Sequence, residues 1–291
     1  MIHTIQSDGL FVDINDKGAE LCSIFSKKTH KEYLWQGDPN IWGRQAPVLF
    51  PIIGRLKDGK YTYNGKEYQM PRHGFASGMD FTVRQTEEGS LIFTCEDTKE
   101  TLAMYPFSFT FHVIYTLQWN VLETIYFVVN RTDGPMYFSF GSHEGFNCPM
   151  VEGETFEDCY IEFDHVNDYK CLTNSENILL TDEKYTVIEN GKRLPLNYGL
   201  FENDALIFER IPSGKLILGS NKSKEKIEVA YDNAPHLGLW TKPGAPYLCI
   251  EPWVGLPDFE DTDGDLTKKR GIIKLEKEEH FSWRHNISIY E

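Results

Sequence analysis

The hydrophobic pattern along this chain has a period of two almost everywhere. Phe109, Phe111, Val113, Tyr115 and Leu117 fall on one face of an extended segment, with Thr110, His112, Ile114 and Thr116 on the other. That is the pattern of a half-buried strand. Leu122 to Val129 follows as a more fully apolar strand. Tyr61 to Tyr68 reads as a hairpin turning at Asn64-Gly65, because Asn-Gly readily adopts the positive φ of a tight turn. Thr186 to Leu194 reads the same way around Asn190-Gly191. Further strands are expected at 10–15, 19–25, 80–86, 91–96, 136–141, 157–163, 205–209, 215–219, 226–231, 237–241 and 247–251, with a closing hairpin at 271–276 and 280–290. No long stripe of 3.6-residue period interrupts them. One short helix is expected from Lys99 to Met104, stopped by Pro106. No Gly/Ser/Pro-rich linker divides the 291 residues. The pattern predicts an all-β fold, a single large antiparallel β-sandwich domain over residues 1–291.

Charge narrows the partners. The formal net charge of -15 disfavours nucleic acid and anionic membrane surfaces, both of which are themselves negative. The six cysteines (Cys22, Cys95, Cys148, Cys159, Cys171, Cys249) form no CxxC pair, and free thiols in a reducing compartment are expected. Met1-Ile2-His3-Thr4 offers neither the basic nor the apolar region of a signal peptide, and no apolar run approaches the ~20 residues of a membrane span. A cytoplasmic protein, monomeric or homodimeric, is the expectation.

Several segments carry residues that strands do not need. Leu248-Cys249-Ile250-Glu251-Pro252-Trp253 reads as an apolar strand ending on a carboxylate, since Pro252 cannot donate to a sheet ladder and should stop the pairing. A poorly solvated carboxylate beside an aromatic wall suits proton transfer on a sugar, though a strand-end Glu in an ion pair has the same local sequence. Arg44 and Arg55 flank a proline-bounded apolar run, and a guanidinium fork can hold sugar hydroxyls or a carboxylate. His73 sits in the turn Pro71-Arg72-His73-Gly74, where a loop can present it to a cleft. His143 lies between Gly141 and Gly145, which permit close approach of backbone or ligand. Asp204 precedes a strand. Other chemistries fit poorly: Gly141 to Gly145 has no serine at its centre, and no phosphate-binding glycine loop or HExxH pair is present. The acidic run Asp258 to Asp265 fails the calcium-loop pattern and reads as a solvated loop.

In the order LFPIIGRLKDG, PRHGFA, GSHEGFN, ENDALIF and LWTKPGAPYLCIEPWVGLPD, these segments resemble the aldose 1-epimerase (galactose mutarotase-like) family, in particular its short cytoplasmic bacterial branch. The resemblance spans nearly the whole chain. It implies a β-supersandwich with a sugar cleft, Glu251 as general base, His143 as general acid, and Arg55, His73 and Asp204 as sugar-binding residues. The chain departs from the family's usual His-Pro-Tyr-Phe-Asn by having His143-Glu144-Gly145-Phe146-Asn147, which bears on sugar preference.

The implied activity is interconversion of the α and β anomers of a hexose by acid-base ring opening and closure. That reaction already proceeds unaided in water, so no metal or redox cofactor is expected. Three alternatives stay open. A hexose-6-phosphate 1-epimerase would hold its phosphate with arginines such as Arg44 or Arg72. A sugar sensor would bind without catalysis. A glycosidase would need two carboxylates, where this sequence points to a His and a Glu.

Overall fold

The computed structural model of the protein describes residues 1–175 and 178–291. Most strands from Thr82 onward join one antiparallel sheet of fourteen strands. From one edge its order is Thr82–Glu87, Ser90–Glu96, Phe109–Gln118, Val121–Asn130, His280–Tyr290, Lys226–Tyr231, Lys215–Ser220, Cys159–Asn174, Leu206–Glu209, His236–Trp240, Tyr247–Val254 and Phe140–Gly141. Glu144–Asn147 also pairs with Tyr247–Val254, and Leu180–Pro195 with Cys159–Asn174. Smaller sheets hold Ile2–Gln6, Leu10–Asn15 and Glu20–Ser26, the hairpin Lys60–Tyr63 and Lys66–Gln69, and the pair Met136–Phe138 and Ile273–Leu275.

The large sheet curls until the edge strand Phe140–Gly141 packs across His280–Tyr290 and Val121–Asn130, which makes it a sandwich. Phe140 and Trp283 belong to strands with six others between them in the sheet, yet their rings are 5.5 Å apart. Tyr126 meets Phe140 at 5.7 Å from the same side. Such inward-facing aromatics from both layers are the core of a β-sandwich. The alternation at Phe109 to Leu117 has its predicted outcome: all five residues of the apolar face are buried. The helix Lys99–Met104 forms, with Thr98 and Thr101 capping each other reciprocally.

Three local expectations are corrected. Asn190-Gly191 does not turn a hairpin. It lies inside the single strand Leu180–Pro195, where Asn190 takes φ 42° and the pairing with Cys159–Asn174 shifts register. A β-bulge uses the same positive-φ residue as a turn, and only the partner strand distinguishes them. The last two strands do not pair with each other either: Ile273–Leu275 pairs with Met136–Phe138, and His280–Tyr290 lies between Val121–Asn130 and Lys226–Tyr231. The acidic loop is not wholly solvated. Asp258 is buried against Lys269 at 2.6 Å, both side chains 4% exposed, while Asp261 and Asp263 pair at the surface with Arg270 and Lys268. The six cysteines are free thiols, and no helix among the described residues is long and apolar enough to cross a membrane.

Candidate active site

Pro252 shapes the site in a way opposite to the sequence expectation. The strand does not stop there but runs through it, as Tyr247–Val254, with partners on both sides. Ser142 donates its N–H to the Pro252 carbonyl, and Pro252 has no N–H to return. The lost rung separates Phe140–Gly141 from Glu144–Asn147 and leaves His143 at the interruption. Gly141 pairs with Trp253 and Glu144 with Ile250, so register places His143 directly across from Glu251. The pairs on either side of it, Ser142 with Pro252 and Glu144 with Ile250, are the hydrogen-bonded ones. His143 and Glu251 therefore form the closer, non-hydrogen-bonded type of cross-strand pair. His143 Nε2 lies 3.3 Å from Glu251 Oε2.

The flanking glycines serve aromatic rings. A Cβ on Gly141 would sit 2.5 Å from Trp253 Cδ1, and one on Gly145 would sit 2.8 Å from Trp42 Cζ3. Trp42 stacks on the His143 ring at 5.2 Å, and Trp240 meets it edge-on at 6.1 Å. Sequence reasoning missed both tryptophans. The available signal was a Trp42 placed where no strand alternation demands an aromatic.

Loops bring in the remaining candidates. His73 takes φ 64°, and its backbone N–H donates to the Gly54 carbonyl. Gly54 N–H in turn donates to His73 Nδ1 at 3.1 Å. Arg72 Nε–H points at His73 Nε2, at 3.2 Å. A neutral imidazole accepts at one nitrogen only, so the two donors compete for the ring. Burial, followed by the charges of His143 and Arg72, pushes the His73 ring well below the usual histidine range and keeps it neutral. Asp204, at φ 74° just before Leu206–Glu209, has an oxygen 3.7 Å from Arg72. Arg44 is held by Glu20 through two contacts, at 2.7 and 3.3 Å, and is the least free of the three arginines that line the cleft.

Arg55, His73, His143, Asp204 and Glu251 all line one cleft of about 340 Å³, within the range of small-molecule sites, roughly 300–1,000 Å³. Glu251 is 2% exposed and His143 7%. Burial raises the Glu251 carboxyl well above the usual carboxylate range; Asp204 and Glu144 add to this, while Arg72 and the Trp253 indole favour the ionised form. Among the described residues the Trp253 N–H itself has no aligned partner. Burial also lowers His143 to about 3, its own backbone carbonyl opposing and Arg72 and Arg44 assisting. Burial thus penalises net charge on either partner, and the pair is most stable holding one proton between them. Asp204 places a second carboxylate in the cleft, which the sequence had not brought beside Glu251. Glu144 points the other way, into the core, 3.1 Å from the buried His285 Nε2. The departure from His-Pro-Tyr therefore puts its charge behind the cleft and not in it.

A family model described as Aldose 1-epimerase matches residues 1–261. The chain belongs to the aldose 1-epimerase family. Among relatives of this aldose 1-epimerase family member, the plasmid-borne protein LacX of Lactococcus lactis subsp. lactis is 35% identical over 280 residues, covering 93% of each chain. A solved galactose mutarotase related enzyme from Lactobacillus acidophilus matches with a TM-score of 0.95 and 38% identity, over 100% of this chain and 98% of that one. A galactose mutarotase-like protein from Lactobacillus casei matches with a TM-score of 0.94 and 28% identity over the full length of both. The supersandwich implied by the sequence resemblance is the fold these structures share with the family member described here.

Proposed function

We propose that this protein is an aldose 1-epimerase that interconverts the anomers of a hexose. The observation that carries this reading is the His143–Glu251 pair, 3.3 Å apart at the floor of a cleft also lined by Arg55, His73 and Asp204. Two groups this close can reach the two oxygens borne by one anomeric carbon. In the reactive form the proton shared by the pair rests on His143 and Glu251 is ionised; Glu251 then takes the proton of the C1 hydroxyl while His143 gives its proton to the ring oxygen. The bond from C1 to the ring oxygen breaks as C1 becomes a carbonyl. After rotation about C1–C2, the freed hydroxyl attacks the other face of that carbonyl. Its proton returns to His143, and Glu251 protonates the former carbonyl oxygen. The pair holds one proton at the start and at the end. His73, Arg55 and Asp204 hold the hydroxyls in place. Trp42 and Trp240 supply walls for the apolar faces of the ring.

Polarimetry and NMR exchange on free aldoses test the reading. Freshly dissolved α-glucose and α-galactose should reach equilibrium faster with protein than without. A methyl glycoside has no C1 hydroxyl proton to remove and should emerge unchanged. Release of methanol would instead assign Glu251 and Asp204 as a glycosidase carboxylate pair. Binding of aldoses without faster exchange would leave a sugar sensor.

The two histidines should behave differently. His143→Asn is expected to lower kcat by about 10²-fold or more with a smaller change in KM, because it removes a proton donor used in the transition state. His73→Asn is expected to change both parameters. The reverse ranking in steady-state kinetics would exchange their roles.

A 6-phosphorylated hexose is the second reading. Among the described residues, Arg55 lines the cleft without a salt-bridge partner and the carboxylate nearest Arg72 is 3.7 Å away. Arg44, tied to Glu20, is a poorer phosphate ligand than the sequence suggested. Arg72→Ala should slow exchange of a hexose 6-phosphate selectively if this reading holds. Equal effects on free and phosphorylated sugar would remove it.

A further inference from the structure

The reaction proposed above leaves one group beside the His143–Glu251 pair without a task. Cys249 is two residues before Glu251 in Tyr247–Val254, so both side chains project from the same face of the strand. Cys249 faces Gly145 across the ladder, where no side chain covers it, and Trp42 closes the space above that glycine. Its thiol is fully buried and has no disulfide partner. One ligand atom from each of His143, Cys249 and Glu251 lies within 4.8 Å of the other two.

We infer that His143 Nε2, Cys249 Sγ and a Glu251 carboxylate oxygen form a site for Zn²⁺ or a similar borderline-soft divalent cation, and that the bound cation blocks the cleft. Three features support it. The 3.3 Å between His143 Nε2 and Glu251 Oε2 is close to the spacing of two ligands on one tetrahedral zinc, whose bonds to N and O are ~2.0–2.2 Å. The sulfur needs only a small side-chain shift to join them, since its bond to zinc is longer, ~2.3 Å. A thiolate with an imidazole selects zinc over magnesium or calcium, which take oxygen ligands. The fourth position opens toward the cleft, where water or a sugar hydroxyl can complete the shell. On binding, the thiol proton and the proton shared by His143 and Glu251 both leave to solvent, and sulfur, nitrogen and oxygen become ligands. The metal takes both the His143 and the Glu251 lone pairs that proton transfer needs, so occupancy and catalysis exclude each other.

The inhibitory consequence rests on the epimerase reading, but the site does not, so two readouts are used. Co²⁺ is added to the full-length protein at mildly alkaline pH, and the near-ultraviolet absorption is followed. A thiolate-to-cobalt charge-transfer band should appear and be discharged by Zn²⁺. It should be missing in Cys249→Ser and in Cys249→Ala, each verified as folded by circular dichroism. Zn²⁺ should also slow anomer exchange in the wild type. Cys249→Ser should exchange anomers at close to the wild-type rate, with at least about 10-fold weaker inhibition, the lower bound for losing even an outer partner of a metal site. No band in the wild type, or an unchanged band in either folded variant, overturns the site. Should neither variant fold, the wild-type band must disappear in His143→Asn, and its persistence there overturns the site. A protein without epimerase activity that still shows the Cys249-dependent band would sink the functional reading and leave the metal site standing.

Discussion

Glu251→Gln is expected to lower kcat for anomer exchange by at least ~10²-fold while leaving sugar binding within a few-fold. Glutamine fills the same volume and can still hydrogen-bond a sugar hydroxyl, but it cannot accept and keep a proton. The effect is large because the carboxylate is 2% exposed and burial raises its affinity for a proton. The same carboxylate in water would be a weaker base. His143 stays in place and can still protonate the ring oxygen, so residual exchange above the buffer rate is expected. NMR exchange spectroscopy on an equilibrated aldose gives turnover, and titration calorimetry gives binding. Turnover near the wild-type value would remove Glu251 from the mechanism. Loss of binding in parallel with turnover would make it a positioning group only.

Lys269→Ala is expected to destabilise the fold by about 3–5 kcal/mol, the usual cost of leaving one member of a buried ion pair alone. Lys269 Nζ and Asp258 Oδ1 are 2.6 Å apart with both side chains 4% exposed, and burial alone would lower the lysine below its ordinary range. Without Lys269, Asp258 keeps one backbone donor, the Lys57 N–H at 2.9 Å. The double variant Asp258→Asn/Lys269→Met should recover much of the loss, because neither partner then carries an uncompensated charge. Urea unfolding with an unchanged slope measures both. A midpoint shift worth less than ~1 kcal/mol for Lys269→Ala would mean that water or another group solvates Asp258. The pair also bears on the site. Asp258 N–H donates to the Arg55 carbonyl at 3.0 Å, and Pro257 packs so closely on Gly54 that a Cβ there would lie 2.4 Å from its ring. Weakened aldose binding in folded Lys269→Ala is therefore expected alongside the lost stability.

Strand existence was legible in the chain because it is written locally. Period-two alternation at Phe109 to Leu117 and the Asn64-Gly65 turn each specify their own conformation, and Pro106 does the same in stopping the helix Lys99–Met104. The residues that converge on the cleft were legible for a different reason. Arg55, His73, His143, Asp204 and Glu251 each break the alternation with a group no strand requires, and their order resembles a known family. Partners were not legible. Asn190-Gly191 can turn a hairpin or bulge a strand, and which one occurs depends on Cys159–Asn174 lying alongside. Pro252 removes one hydrogen-bond donor whatever surrounds it. Only the neighbouring strands turn that loss into a gap opposite Glu251 in place of a strand end. The proximity of Cys249 to His143 and the burial of Asp258 with Lys269 arise the same way. Backbone conformation and side-chain chemistry are local properties of a sequence. Register, burial and the proton affinities that burial sets depend on which distant segments pack together, and the tertiary structure alone decides them.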